Sequence, residues 1–446
     1  MALTGIEIFK MLPKTNCKEC GLPTCLAFAM ALASGKAELD ACPYVSDEVK
    51  EKLAEASAPP IRPVKIGPKD AQKTLGGETV QFRHEKTFFN PTIIACRLGT
   101  DMADADVDAK LKQFMGLQFE RVGLNLRPEM FAIVDKNGDA GKFAALVKKV
   151  MDGSDALILL RSDKVDVLKA GAEAAKERRP ILATATAENA DAMGALAKEL
   201  DLPLVARAES YDALAELTTK LTGMGVKDII LNSAPKSAKQ LLQDNVAFRR
   251  AALVGKFRPF GFPVINNVSL MTDDLKKQAL YAALGIAKYA SIVVLSDLAP
   301  HAIFPLLLQR LNVYTDPQKP MIVTQGIYPI NNPDENSPIA ITTNFALTYF
   351  IVTGEIEGSK VPTWLLIKDT EGLSVMTAWA AGKFSGDDVG IFVKKSGITD
   401  KAKTRSLIIP GYAAAISGDL EEELPDWKIL IGPREASHIP AFLKSL

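Results

Sequence analysis

From about residue 90 to residue 325 the chain alternates short, wholly apolar runs rich in β-branched residues with stretches whose apolar positions recur every three to four residues. The runs are "TIIACRL", "MFAIVD", "DALILLR", "PILATAT", "PLVARA", "DIILNS", "FPVINNV", "ASIVVLS" and "PMIVTQG". Between them lie amphipathic segments such as "GKFAALVKKVMDG", "NADAMGALAKELD" and "YDALAELTTKLTGMG". Such an alternation predicts parallel strands with helices outside them, because a strand covered on both faces has no polar side to show. Nine runs for eight places predict a (β/α)8, TIM-like barrel with one run left outside; an open doubly wound sheet is the alternative.

The runs end in polar residues: Arg97, Asp135, Arg161, Thr184, Arg207, Asn232, Asn266, Ser296 and Gln325. Barrel enzymes place their active sites at that face. No paired carboxylates, histidine cluster or metal-ligand spacing stands out among them, so the row reads as strands turning into water. Cys96, inside the first run, reads as a small core residue.

From residue 326 the pattern changes. The stretch "GIYPINNPDENS" is a boundary signal, and "IAITTNFALTYFIVTGEI" reads as a helix closed by Gly354. Four strand-like runs follow, "TWLLIK", "GIFVKKS", "SLIIPG" and "WKILIG", with helical "SVMTAWAAGKF" and "REASHIPAFLKSL", which predicts a small Rossmann-like α/β domain. Ahead of the barrel, residues 51–70 contain Pro59, Pro60, Pro63 and Pro68, a linker composition. The expected organisation is a cysteine module at 1–58, a proline-rich linker and lead-in at 59–90, a barrel at 91–325 and the α/β domain at 326–446.

Composition narrows the classes. The 446 residues suit two to four domains. Lys+Arg and Asp+Glu both number 53, so nothing in the net charge attracts nucleic acid or an anionic membrane. The first residues lack the basic flank, apolar run and small-residue cleavage site of a secretory signal. No run approaches the roughly 18 residues of a membrane span. A cytoplasmic protein is expected.

Four of the five cysteines lie in "NCKECGLPTCLAFAMALASGKAELDACP": Cys17, Cys20, Cys25 and Cys42, spaced C-x2-C-x4-C-x16-C. In a reducing compartment such a cluster more often binds metal than forms disulfides. Gly21 and Pro23 supply a turn, and Thr24 is placed to cap a helix from Cys25 to about Ala33. Cys25 then falls in the first turn, where the helix dipole favours a thiolate. Pro43 follows the last ligand, as in many bacterial ferredoxins. The pattern points to a [4Fe–4S] cluster. Structural zinc is one alternative, although it usually takes two C-x2-C knuckles where this stretch has one knuckle and a helix, and a set of unrelated core cysteines is the weaker one.

In the α/β domain the turns "KDTEGLSVMTAW", "IPGYAAAISG" and "IGPREASHI" bring glycine together with small or hydroxylated residues. At the carboxyl ends of parallel strands such turns line ligand crevices. The positions of interest are Thr370, Gly372, Leu373, Ser374, Gly411, Tyr412, Gly432 and Pro433. No G-x-G-x-x-G is present, so a standard dinucleotide fingerprint is excluded, and glycine in ordinary turns is the competing reading.

The cysteine spacing, the linker, the barrel and "DTEGLSVMTAWAAGKF" together resemble, over the whole chain, the large (gamma) subunit of the corrinoid iron–sulfur proteins of the reductive acetyl-CoA pathway. The resemblance implies a methyl carrier rather than a stand-alone enzyme. A corrinoid on the C-terminal domain would accept a methyl group from methyltetrahydrofolate through a methyltransferase and donate it to acetyl-CoA synthase/CO dehydrogenase, cycling between Co(I) and methyl–Co(III). A [4Fe–4S] cluster on Cys17, Cys20, Cys25 and Cys42 would return Co(II) to Co(I). Corrinoid contacts are carried over to Thr370, Gly372, Leu373, Ser374 and Val375, with Gly411, Tyr412, Gly432 and Pro433 as further contacts. The family's cofactor is base-off. In agreement, no Asp-x-His-x-x-Gly motif occurs, and His84, His301 and His438 are the only histidines, with His438 expected on the surface of a late helix. A small corrinoid iron–sulfur subunit is the implied partner in a heterodimer, with the barrel as scaffold. Two other functions compete: an electron-transfer subunit without its own corrinoid, and a barrel enzyme acting on a pterin.

Overall fold

The structure, a computed structural model, describes residues 5–33, 37, 39–46, 49, 59–121 and 124–446. It divides into two compact units. The first takes Met1–Gln81, Asn90–Leu111 and Glu129–Leu298; the second takes Phe82–Phe89, Lys112–Pro128 and Ala299–Leu446.

The first unit opens with helices α1 (Gly5–Met11) and α2 (Cys25–Ala33). Ile8, Leu12, Phe28, Ala29 and Val45 are buried between them in one small core that also contains Cys25 and Cys42. Of the stretch read as a linker, residues 51–58 lie outside the described residues. Beyond it, Val64–Ile66 and Lys73–Leu75 pair as an antiparallel hairpin. Val64, Ile66 and Leu75 are at most 1% exposed and pack with Ile93, Met130, Leu157 and Ile181 at the amino end of the barrel. The proline-rich stretch therefore passes directly into a plug for the barrel floor.

Eight parallel strands close the barrel in chain order: β1 (Ile93–Gly99), β2 (Met130–Val134), β3 (Leu157–Arg161), β4 (Ile181–Ala185), β5 (Leu204–Arg207), β6 (Ile229–Asn232), β7 (Val264–Asn266) and β8 (Ala290–Leu295). They are the first eight of the nine predicted runs. The ninth lies in the second unit, where Ile322 makes an isolated bridge to Phe345. Almost every strand residue is buried, as a sheet covered on both sides requires. Several outer helices start where a side chain caps the free amides: Asp139, Ser210, Ser237 and Asp274 accept from the N–H of Lys142, Ala213, Gln240 and Lys276. Cys96 is fully buried, and burial pushes its thiol up to about 12, consistent with a core residue.

The second unit is built on a five-stranded sheet of β9 (Gly326–Ile330), β10 (Ile339–Thr343), β11 (Thr363–Lys368), β12 (Ser406–Ile409) and β13 (Lys428–Ile431), in the order β9-β11-β10-β12-β13. Only β9 is antiparallel. Three expectations change here: Gly326–Ile330, read as a boundary, is the edge strand β9. Ile339–Thr343 is a central strand, and the helix begins at Ala346 and runs through Gly354 to Ser359, ending on left-handed Lys360. "GIFVKKS" belongs to the helix Gly386–Lys395, which buries Val389, Gly390 and Val393 at helical spacing. Apolar clusters cover both sheet faces. One gathers Ile339, Ile341, Leu366, Leu407 and Ile409; the other gathers Leu365, Ile367 and Ile408.

Candidate functional site

The residues singled out in the sequence fall in two places. The first is the loop before α2. Gly21 has a left-handed φ of 79°, and Lys14, Asn16 and Lys18 share that region at 59°, 48° and 64°. Each non-glycine residue there costs roughly 1–2 kcal/mol, so a loop holding three of them is over-determined by its surroundings. Asn16 is one clamp: its Oδ1 accepts the Cys25 N–H at 2.8 Å, and its own N–H stands 3.4 Å from Cys25 Sγ. Thr24 Oγ1 accepts the Ala27 N–H at 3.1 Å, which is the expected cap and leaves Cys25 as the first residue of α2. The returning segment is tied back by the Tyr44 hydroxyl, which donates to Glu19 Oε1 at 2.8 Å.

Cys25 and Cys42 are 6% and 3% exposed within the module core, Cys20 packs against that core, and Cys17 is exposed. Among the described residues no three His, Cys, Asp or Glu side chains gather to hold a single metal ion.

The second place is the carboxyl edge of β10–β13, where all three predicted turns lie. Strand order reverses beside β10, since β11 flanks it on one side and β12 on the other. Ligand crevices of open α/β sheets form at such a point. A cleft of about 210 Å³ opens there, lined by β10, β12, the helix Ala346–Ser359 and the C-terminal helix Ile439–Lys444. Val375, Tyr412, Gly432 and Pro433 line it. Gly411 lies behind them: a Cβ there would stand 2.5 Å from the Gly432 carbonyl oxygen, so only glycine lets the two turns meet. The Tyr412 hydroxyl donates to Glu435 Oε1 at 3.0 Å, and that carboxylate holds the phenol above its usual range.

Thr370, Gly372, Leu373 and Ser374 form the neighbouring turn and do not line the cleft. Their shape depends on a residue that the sequence did not reveal. Asn344, 1% exposed, accepts through Oδ1 from the N–H groups of Thr370 and Gly372 and the Thr370 hydroxyl, each at 3.0 Å. Its Nδ2 donates to Asp369 Oδ1 at 2.7 Å. Gly372 takes a φ of 79° inside this lock. Ser374 begins the helix Val375–Ala380 with its hydroxyl 3.0 Å from Thr377 Oγ1.

The edge suits a large, mainly apolar group. Leu347 and Ile351 stand one turn apart on their helix and are 57% and 47% exposed, with Met376, Trp379 and Tyr412 also open to solvent. The buried hydroxyls of Thr342 and Thr343 have no hydrogen-bond partner, and Thr342 lines the cleft. Buried polar atoms are rarely left unpaired, so these offer hydrogen bonds to something the chain itself does not supply. His438 is exposed, in the short turn Ala436–His438 that precedes the last helix rather than within it.

Residues 63–443 match the family described as CO dehydrogenase/acetyl-CoA synthase delta subunit, and residues 12–44 match an Fe–S cluster domain. The chain belongs to the CO dehydrogenase/acetyl-CoA synthase delta subunit family. The corrinoid/iron-sulfur protein large subunit of Moorella thermoacetica is 43% identical over 445 residues, covering 100% of this chain and 99% of that protein. The acetyl-CoA decarbonylase/synthase complex subunit gamma of Methanopyrus kandleri is 36% identical, covering 99% of this chain and 97% of its own. Coverage this complete on both sides means that the cysteine module, barrel and C-terminal sheet are inherited together. Among the described residues no helix is long and apolar enough to cross a membrane.

Proposed function

We propose that this chain is the methyl-carrying large subunit of a corrinoid iron–sulfur protein serving acetyl-CoA synthesis. The observation that carries this reading is the full-length likeness to a corrinoid/iron-sulfur large subunit, which takes in every part of the chain. Cys17, Cys20, Cys25 and Cys42 hold a [4Fe–4S] cluster, and the carboxyl edge of β10–β13 holds a corrinoid. Bound there, the corrinoid supplies a cobalt centre for methyl transfer, and the cluster supplies the single electron that restores it after oxidation.

The chain's own residues shape both sites. Asn16 fixes the backbone of Cys25 at the positive end of α2, where a thiolate is favoured. Asn344 holds the 369–372 turn rigid, so that Ser374 and Val375 are presented at a fixed place. The apolar side chains of the edge exclude water, and the free hydroxyl of Thr342 donates to a polar group entering the cleft. The corrinoid is read as base-off, without a nitrogen ligand from the protein; His438 faces solvent. The partners that follow are a small subunit completing a heterodimer, a methyltetrahydrofolate methyltransferase, and acetyl-CoA synthase/CO dehydrogenase.

Metal and cofactor analysis of anaerobically purified protein tests this. Cobalt together with about four irons per chain is expected, with corrinoid bands in the visible spectrum. Zinc without cobalt would overturn the assignment.

A further inference from the structure

The barrel interior is layered, and its last layer is charged. Ile93 and Ala95 of β1, Leu157 and Leu159 of β3, Val205 of β5 and Ile265 of β7 belong to one buried interior cluster. Side chains alternate along a strand, so the same inward rows continue through Arg97, Arg161, Arg207 and Asn267. The strand register agrees. Arg161 pairs with Val134 on one side and with Ala183 on the other, Ala183 being itself an interior residue, and Arg97 pairs with interior Ala132. Alternate strands supply each layer of such a barrel, and branched apolar residues ordinarily fill it. Here three of the four are arginines.

A cavity of about 210 Å³ opens at this layer, with Leu159, Val205 and Ile265 on its floor and Arg161, Arg207 and Lys236 on its walls, while Arg97 of the same layer stands outside its lining and acts on Arg161 through space. The carboxylates nearby do not neutralise it. Glu209 is 2.7 Å from Lys236 and 3.9 Å from Arg207, so one charge serves two cations. Asp135 is occupied by the N–H groups of Asn137 and Gly138 and by the Ser162 hydroxyl. Asp163 acts on Arg161 only through space. Among the described residues the Arg97 and Arg161 guanidiniums have no hydrogen-bond or ion-pair partner. Burial, and then the charges of Arg207 and Arg97, draw Arg161 below the usual guanidinium range. Like charges gathered in a half-buried ring oppose folding unless an anion joins them.

We propose that the barrel mouth binds a small phosphate-bearing ligand, its oxyanion held by Arg161 and Arg207 with Lys236 at the rim and Arg97 drawn in from the same layer. Guanidiniums reaching in from three strands match a tetrahedral, multiply charged phosphate better than a planar carboxylate, whose two oxygens serve fewer forks. The site is independent of the methyl-carrier reading and uses none of its residues.

Calorimetric titration of the full chain at low salt with pyrophosphate and inorganic phosphate, with glutarate as a dianion whose charges sit on two planar carboxylates, tests it. Saturable one-to-one binding of the phosphates is expected, with a raised melting temperature and weaker binding of glutarate. Arg161→Met and Arg97→Gln each weaken phosphate binding about ten-fold or more. Without ligand each raises the melting temperature, since a repulsive charge has gone; a purely structural arginine would do the reverse. The proposal is overturned by absence of phosphate binding, by equal binding in both variants, by glutarate binding as tightly, or by a lowered melting temperature in both variants. It is equally overturned if the variants lose association with a partner subunit while phosphate affinity stays unchanged.

Discussion

In the N-terminal module the site and the core are the same residues, whereas in the second unit the site rests on a core that exists without it. Cys25 and Cys42 are buried among Ile8, Leu12, Phe28, Ala29 and Val45, and among the described residues little else is buried there. The C-terminal cleft instead lies at the rim of a sheet with an apolar cluster on each face. A core of a few side chains cannot offset the conformational entropy of its own loops, so its ligands must contribute to folding. A site on a finished scaffold can give up stability for ligand contacts, and the unpaired hydroxyl of Thr342 at the cleft is placed for such an exchange.

Mutation separates the two cases. The largest effect is expected for Cys25→Ala: loss of essentially all cluster iron, and trypsin cleavage within residues 5–46 about ten-fold faster, as for a domain that loses its metal. The second unit should melt as before. Iron retained at full content would break the comparison. Asn344→Ala comes next, because it strips four hydrogen bonds from a buried turn, and should cost the second unit about 3 kcal/mol in urea unfolding, with corrinoid lost on gel filtration. A cost below about 1 kcal/mol would mean that the turn holds its shape unaided.

Thr342→Val is smaller and opposite in sign. Removing an unpaired buried hydroxyl should stabilise the cofactor-free chain by about 1 kcal/mol while corrinoid is retained less well. If both quantities fall, the hydroxyl is structural. The least effect belongs to Cys96. Its thiol, raised from 9.0 to about 12, is neutral in the folded and unfolded chain below about pH 9. Above that the unfolded thiol ionises first, so the stability it contributes is lost as pH rises towards 12. Iodoacetamide at about pH 8.5 should leave native Cys96 unmodified, and Cys96→Ala should leave the iron content unchanged. Labelling in the folded state would reopen its assignment as core.

Much of this architecture is legible in the chain because its signals are local. Eight apolar runs bounded by turn residues became eight strands, and Thr24 three residues before the Ala27 amide became a cap. Where the local signal fails, a physical reason can be named. "IAITTNFALTYFIVTGEI" is apolar throughout, and only Asn344 and Phe345 divide its strand from its helix, without the glycine or proline that marks a turn. β9 was missed because it carries Pro329, which a strand tolerates only at an edge, and β9 is the edge. Asn344 has no signature at all, since its partners arrive from the end of a different strand. Arg97, Arg161 and Arg207 read as strand ends facing water, and only the register shows that they face one another's row.

Closure of the barrel makes one further demand, on timing. β8 pairs with β1, Ile292 beside Ile93, and Thr92 Oγ1 donates to the Ala290 carbonyl across 198 positions of sequence. During synthesis the first strand and the hairpin beneath it must wait, with edges unpaired and Val64, Ile66 and Leu75 uncovered, until the eighth has emerged. The ribosome-bound chain thus passes through a long interval as a sticky, open sheet, and chaperone dependence should fall sharply once residue 295 has left the ribosome.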